Sequence, residues 1–281
     1  MTSKIYYKGN WYEPNAKLFS STNRGIKYGD GFFESMTAFN SKICFLDDHF
    51  KRINKTASVL ELDVEKAGFT KDLLNKILDD FIKSNQLNAC AVRVQFTRSY
   101  GSKYTPSSID CDFYIEFREK ATYKFSENLI FDTSGLYKEH LLQKNNLLSP
   151  LKTSNSILYV LAKSYCKKNG LNEVILFNNA LEIAEFSSSN IYLDMGDEIL
   201  TPPLSSGCLD GIIRKQLLKY EAKNRFNIRE FDLHERDLKK AVAIYGSNTS
   251  MGIFYIKQID NKKYTAGKST ALTEFINSKI S

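Results

Sequence analysis

Hydrophobic residues recur with two different periods along this chain, and the two periods alternate from its N-terminus to its C-terminus. Spacings of three and four residues predict amphipathic helices over 47–62 and 73–82. Strict alternation then predicts strands over 92–97 and 113–117. The polar face of the first of these strands consists of Arg93, Gln95 and Thr97.

After about residue 120 the alternation of helix and strand patterns begins again. The predicted elements are helices over 154–168, 212–223 and 269–279 and strands over 173–177, 181–184 and 241–245. The fold class expected from this order is mixed α/β (α+β), with one domain over 1–120 and a second over 121–281 that carries Lys152. No stretch rich in proline and glycine marks the boundary.

Composition narrows the class of protein. The chain has 281 residues, of which 42% are hydrophobic and 25% are charged, as in an ordinary globular protein of about two domains. The net charge of +7 is spread along the sequence, which favours a lysine-rich surface over a nucleic-acid-binding face.

No apolar run is long enough to span a bilayer and the N-terminus lacks a secretory signal, so we expect a cytoplasmic protein without a membrane partner. The five cysteines and three histidines are scattered, so we expect no metal site.

Several segments carry residue types suited to chemistry, and each also has a plain structural alternative. Three glycines within residues 25–31 allow tight turns beside a ligand, or equally in a surface loop. Arg52 on the first predicted helix is either a solvent-exposed arginine or one that binds an anion. Lys152 precedes a helix and has apolar neighbours in the sequence, a setting that favours the deprotonated form of a lysine. Glu185 is followed by small hydroxylated residues, as in a pocket wall or a serine-rich loop.

Two later segments are suited to a phosphate group. Gly211 begins a predicted helix, so the backbone N–H groups of Ile212 and Ile213 lack intrahelical partners. A predicted strand that ends at Tyr245 leads into small hydroxylated residues, among them Thr249.

The order of these segments resembles the class IV aminotransferases, the fold-type IV enzymes that use pyridoxal 5'-phosphate. The shared features are RGxxYGDGxFE from Arg24, LDDHxxR ending at Arg52, Lys152, and ExSxSN beginning at Glu185. The interval of 33 residues between Lys152 and Glu185 also agrees with that family. The resemblance implies a two-domain fold like that of D-amino-acid aminotransferases, with the cofactor at the domain interface, and a homodimer.

The resemblance also implies a role for each candidate residue. Lys152 would form the Schiff base with the cofactor and move the substrate proton, and Glu185 would face the pyridine nitrogen. Arg52, Thr249 and the backbone of Ile212 and Ile213 would bind the phosphate. The remaining candidates are Ser189 and Asn190 as further cofactor contacts, and Tyr28, Arg98 and Lys103 for an anionic amino substrate.

Two activities remain open within the family. Ser35 and Ile157 depart from the branched-chain aminotransferase pattern, and the loop over 98–104 is similar to one in 4-amino-4-deoxychorismate lyases. We therefore expect a lyase that converts 4-amino-4-deoxychorismate to 4-aminobenzoate, a folate precursor, and pyruvate through an external aldimine. The alternative is an aminotransferase that moves an amino group from a branched-chain or D-amino acid to a 2-oxo acid.

Overall fold

The computed structural model describes residues 2–280, which divide into two compact units. The first unit contains the chain up to Lys124 together with Leu151–Asn155. The second unit contains Phe125–Pro150 and the chain from Ser156 onward. Each unit is mixed α/β and has its own hydrophobic core.

The first unit is built on a six-stranded antiparallel sheet in the order β2-β1-β8-β5-β3-β4. Helices α2 and α3 contribute apolar residues such as Ile53 and Leu74 to the same core as the sheet, to which β5 contributes Val94. Its strands are β1 Ser3–Tyr7, β2 Asn10–Tyr12, β3 Gly31–Phe39, β4 Lys42–Ile43, β5 Ala89–Arg98, β6 Gly101–Ser102, β7 Thr105–Pro106 and β8 Cys111–Glu119. Its helices are α1 Arg24–Tyr28, α2 Leu46–Val59 and α3 Lys71–Asn85.

The second unit is built on a mixed sheet of ten strands within the described residues, in which β9 pairs in parallel with both β10 and β17. Its strands are β9 Leu129–Leu142, β10 Glu173–Asn178, β11 Glu182–Phe186, β12 Asn190–Asp194, β13 Ile199–Thr201, β14 Ile228–Glu230, β15 Leu233–His234, β16 Ala243–Asn248, β17 Gly252–Ile259 and β18 Lys262–Lys263. Its helices are α4 Ile157–Lys168, α5 Ile212–Leu217, α6 Tyr220–Phe226, α7 Glu235–Leu238 and α8 Ser269–Asn277, with a 3-10 turn at Leu204–Ser206. In residues 2–280, no helix is both long and apolar enough to cross a membrane.

The structure differs from the predicted elements at two helices. The helix predicted over 154–168 begins only at Ile157, because the residues before it pair with β3 of the first unit. The helix predicted over 212–223 is two helices, since Lys219 between them has an extended backbone with ψ of 151°.

The predicted division of the chain also differs from the observed one. The sequence places Lys152 in a domain over 121–281, whereas backbone hydrogen bonds to β3 group Leu151–Asn155 with the first unit. The segment that carries the candidate lysine therefore belongs to the first unit, whereas the chain before and after it belongs to the second unit.

Candidate active site

The backbone around Lys152 is fixed by the edge of β3. The Phe33 N–H donates to the Lys152 carbonyl at 3.0 Å, and the Ser154 N–H donates to the Gly31 carbonyl at 3.0 Å. The amide of buried Gln95 on β5 donates to the Ser154 hydroxyl at 2.8 Å. The segment that contains Lys152 is thus held by main-chain bonds and by a side-chain bond to Ser154, although Lys152 lies outside any helix or strand.

The side chains of Lys152 and Arg93 meet at one aromatic ring. The Lys152 Nζ lies 4.2 Å from the ring centroid of Phe33, and the Arg93 guanidinium carbon lies 3.8 Å from the same centroid. The two cationic groups are consequently within about 8 Å of each other. Contact with an aromatic face is a favourable setting for a cation that is partly removed from water.

Arg93 has no ion-pair partner within 4 Å among residues 2–280, and its hydrogen bond is to the Gln95 side chain at 3.2 Å. Burial lowers the pKa of Arg93, which Glu116 and Tyr114 offset only in part. A partly desolvated guanidinium with no carboxylate within 4 Å is suited to receiving one from a ligand. Sequence reasoning missed this residue, although strand alternation had placed it on the polar face of β5 together with Gln95.

The opposite face of β3 carries a buried ionic cluster. Arg52 on α2 donates from Nε and Nη2 to the Glu34 carboxylate, and the His49 Nδ1 lies 2.8 Å from Glu34 Oε1. Although burial alone raises the pKa of Glu34, Arg52 and His49 lower it to about 2. Burial lowers the pKa of His49, and its Nε2 is a buried atom without a hydrogen-bond partner in the described part of the chain. The predicted phosphate arginine is therefore oriented by a carboxylate that stays ionised at neutral pH.

Glu185 lies on β11, with 3% of its surface exposed, and each carboxylate oxygen has a donor. The Tyr159 hydroxyl donates to Oε1 at 2.8 Å, and the backbone N–H of Leu209 donates to Oε2 at 3.1 Å. Hydrogen bonds of this kind stabilise the ionised carboxylate. The sequence predicted Glu185 but not its partner Tyr159.

Ser189 and Asn190 follow Glu185 at the turn into β12. The Ser189 hydroxyl accepts from the Asn248 amide at 2.9 Å, and the Asn190 amide donates to the Leu209 carbonyl at 2.8 Å. A side chain at Gly211 would meet Asn190 Oδ1 at 1.9 Å, so this contact requires glycine there.

The candidate phosphate contacts of the second unit lie at the ends of two elements. Ile212 and Ile213 form the first turn of α5, whose N-cap Gly211 provides no side-chain cap. First-turn N–H groups have no intrahelical acceptor. Thr249 follows directly after β16 and is 9% exposed.

Arg98, a predicted substrate residue, is held by several hydrogen bonds within the first unit. Its guanidinium is 6% exposed, and its Nε donates to the Asp30 carboxylate at 3.1 Å. Its other two nitrogens donate to the backbone carbonyls of Leu60, Glu61 and Ser108. These bonds tie β5 to neighbouring loops, and Arg98 stays a predicted substrate contact.

Tyr28 and Lys103 both contact Arg24. The Arg24 guanidinium lies 5.1 Å from the Tyr28 ring centroid and donates to the Lys103 carbonyl at 2.9 Å. The Tyr104 ring lies 5.5 Å from the Tyr28 ring at a tilt of 58°, and Tyr104 is 87% exposed. The exposed Lys103 side chain remains a predicted substrate contact, whereas its backbone is held by Arg24.

Comparison with known proteins decides the family. A family model described as amino-transferase class IV matches residues 31–259. The chain belongs to the class IV aminotransferase family. Class IV aminotransferases depend on pyridoxal 5'-phosphate, so this protein is a pyridoxal-phosphate-dependent enzyme. The donor set described above fits that cofactor chemically: a lysine amine, a buried carboxylate, an oriented guanidinium, helix N–H groups and a hydroxyl.

Individual relatives agree with this membership over nearly the whole chain. D-alanine aminotransferase of Staphylococcus haemolyticus is 25% identical over 275 residues, which are 96% of this chain and 94% of that protein. The branched-chain aminotransferase structure from Thermoproteus uzoniensis has a TM-score of 0.85 at 18% identity and covers 97% of this chain and 93% of its own. A protein from Legionella pneumophila assigned as a 4-amino-4-deoxychorismate lyase has a TM-score of 0.81 at 20% identity, covering 95% and 97%. The fold is thus that of fold-type IV enzymes.

In the described residues, no group of three or more histidine, cysteine or acidic side chains is arranged to hold a metal ion.

Proposed function

We propose that this class IV aminotransferase transfers the amino group of a D-amino acid such as D-alanine to a 2-oxo acid. The observation that carries the proposal is the placement of Lys152 and Arg93 on the Phe33 ring. An α-amino acid holds its carboxylate two bonds from its amine, so a cation close to the catalytic lysine suits this substrate class. The relatives named D-alanine aminotransferase, which match over nearly the full chain, support the D-amino acid.

Pyridoxal phosphate, when bound, supplies an electron sink that makes the α-proton of an amino acid removable. We propose that the Lys152 amine carries the cofactor and moves that proton. Arg93 binds the substrate carboxylate as a charge-assisted pair and so orients the α-carbon toward Lys152. Tyr28, Arg98 and Lys103 are proposed to complete substrate binding.

The remaining predicted residues hold the cofactor. Glu185 keeps a proton on the pyridine nitrogen, because an adjacent negative charge favours the protonated form. Arg52, Thr249 and the first turn of α5 bind the phosphate. Ser189 and Asn190 fix the loop that follows Glu185, through their bonds to Asn248 and Leu209.

The lyase reaction expected from the sequence remains the competing function. The sequence feature that supports the lyase is the loop over 98–104, in which Arg98 donates to Asp30 and to backbone carbonyls. In 4-amino-4-deoxychorismate the amine lies across the ring from one carboxylate and five bonds from the other. Both substrates fit a cation within about 8 Å of Lys152, so the preference for transamination rests on the relatives named D-alanine aminotransferase.

One assay separates the two reactions, although both release pyruvate. The purified holoenzyme is given D-alanine, L-alanine, leucine or 4-amino-4-deoxychorismate, each with and without 2-oxoglutarate. Transamination requires the 2-oxo acid and forms glutamate, whereas the lyase needs no acceptor and forms 4-aminobenzoate. We expect pyruvate from D-alanine only with 2-oxoglutarate. Acceptor-independent pyruvate together with 4-aminobenzoate would overturn the proposal in favour of the lyase.

We also propose that the enzyme is a homodimer. The hairpin β6–β7 exposes Tyr100 and Tyr104, whose surfaces are 63% and 87% accessible. Exposed aromatic residues of this kind are enriched at protein interfaces. Light scattering of the active holoenzyme should give twice the chain mass of 32.2 kDa, and an active monomer at assay concentration would contradict the proposal.

A further inference from the structure

Two of the donors to the Glu185 carboxylate come from different parts of the second unit. Leu209 contributes a backbone N–H, which any residue except proline would provide. Tyr159, in the first turn of α4, contributes a side-chain hydroxyl at 2.8 Å from Oε1. The tyrosine contact therefore depends on the sequence in a way that the backbone contact does not.

The position of the Tyr159 hydroxyl is set by packing. Its ring is partly buried against the core cluster that contains Ala162, Cys166 and Ala184. Burial and the neighbouring Glu185 raise the pKa of Tyr159 well above its usual value. The phenol therefore stays protonated, and remains a hydrogen-bond donor, at every pH at which such an enzyme is assayed.

We propose that Tyr159 is a positioning residue, whose hydroxyl keeps Glu185 ionised so that the shared proton stays on the pyridine nitrogen of the cofactor. The proposal rests on the role given to Glu185 under Proposed function. It adds a residue of α4 that the sequence motifs do not include.

The physical reason is a competition for one proton. A carboxylate and a pyridine nitrogen in contact can form either an ion pair, with the proton on nitrogen, or a neutral pair, with the proton on oxygen. Donors to the carboxylate stabilise its charged form and so favour the ion pair. Because only 3% of the surface of Glu185 is exposed, water cannot readily replace a lost hydrogen-bond donor. Removal of the hydroxyl should shift the proton toward Glu185.

The test compares the wild-type holoenzyme with Tyr159→Phe and Tyr165→Phe. Tyr165 is the matched control, since it lies on the same helix and packs edge-on against Tyr137 rather than contacting Glu185. Each protein is loaded with pyridoxal phosphate labelled with 15N in its ring. Solid-state 15N spectra from pH 6 to 9 then report whether the ring nitrogen carries the proton. Cofactor affinity and the rate of the amino-donor half-reaction are measured alongside.

We expect a protonated nitrogen in the wild type and in Tyr165→Phe, and a nitrogen that loses its proton within this pH range in Tyr159→Phe. The half-reaction should slow by about tenfold or more, as for loss of a hydrogen bond to a charged group. Cofactor affinity should change by less than about threefold, because the phosphate contacts are untouched. A residue with a merely structural role would lower thermal stability or cofactor content without moving the 15N signal.

Two results would overturn the proposal and would do so for different reasons. An unchanged nitrogen signal in Tyr159→Phe shows that the hydroxyl does not control the proton, and leaves Glu185 in its role. An unprotonated nitrogen in the wild type removes the role of Glu185 itself. Neither result depends on which substrate is used, so the substrate assay judges the proposed transamination independently.

Discussion

Replacement of Arg93 should remove recognition of the substrate carboxylate while leaving the fold intact. Arg93→Met keeps most of the length and apolar contact of the side chain, including its packing against Phe33, but removes the charge. A charge-assisted hydrogen bond contributes about 1.5–3 kcal/mol, which corresponds to a loss of roughly tenfold to 150-fold in kcat/KM. Arg93→Lys keeps the charge without the planar fork and should recover only part of that loss.

The thermal stability of Arg93→Met should not fall together with its activity. Because burial lowers the pKa of Arg93, its charge is held at a cost in the folded protein. Removal of that charge should leave the thermal midpoint unchanged or raise it, as at other functional sites where activity and stability conflict. Arg118→Met is the matched control, since Arg118 is an exposed arginine of the same sheet, on β8.

The assay measures pyruvate from D-alanine with 2-oxoglutarate, and in parallel the conversion of a simple primary amine that lacks a carboxylate. Arg93→Met should slow the amino acid and leave the simple amine unaffected, so that the preference for a carboxylate collapses. Equal losses on both donors would show that Arg93 acts on the cofactor or the fold. An unchanged kcat/KM for D-alanine would show that Arg93 does not bind the substrate carboxylate.

Three further outcomes test other parts of the site. Glu185→Gln should retain cofactor, measured by absorbance, but slow the single-turnover half-reaction by orders of magnitude, since the negative charge at the pyridine nitrogen is lost. Arg52→Ala should weaken cofactor binding by roughly tenfold or more in an apoenzyme titration, and Thr249→Ala by less, because a neutral donor binds phosphate more weakly than a cation. The pKa of Glu34 falls from 4.5 to about 2 on folding, so its ionised form stabilises the protein above pH 4.5 and this contribution is lost as the pH falls toward 2. Glu34→Gln should therefore flatten the acid limb of a urea-midpoint profile between those values, and an unchanged slope would count against the buried cluster.

The elements with strong periodicity were predictable from the sequence. The helices α2 and α3 and the strands β5 and β8 fall where spacing alone places them, because each buries one face against the core of a single unit. Strand β9 was missed, since Lys138, Glu139 and His140 interrupt its apolar pattern and its two halves pair with different strands.

The order of the motifs predicts candidate roles from the sequence, but the long-range contacts that hold these residues cannot be predicted in that way. The segment of Lys152 is held by β3, more than a hundred residues earlier, which no local pattern reveals. Arg98 and Arg93 are both strand arginines of β5, yet one is tied to Asp30 and backbone carbonyls and the other lies on Phe33. Only the register of the sheet and its neighbouring loops distinguishes them.

The assignment of Lys152 as the lysine that carries the cofactor is the central claim, and borohydride tests it most directly. Reduction of the holoenzyme makes the bond between cofactor and lysine permanent, and peptide mapping by mass spectrometry then locates it. We expect a pyridoxyl group on Lys152 in the wild type, and no label at this position in Lys152→Ala. A label on any other lysine of the wild-type enzyme would contradict this assignment.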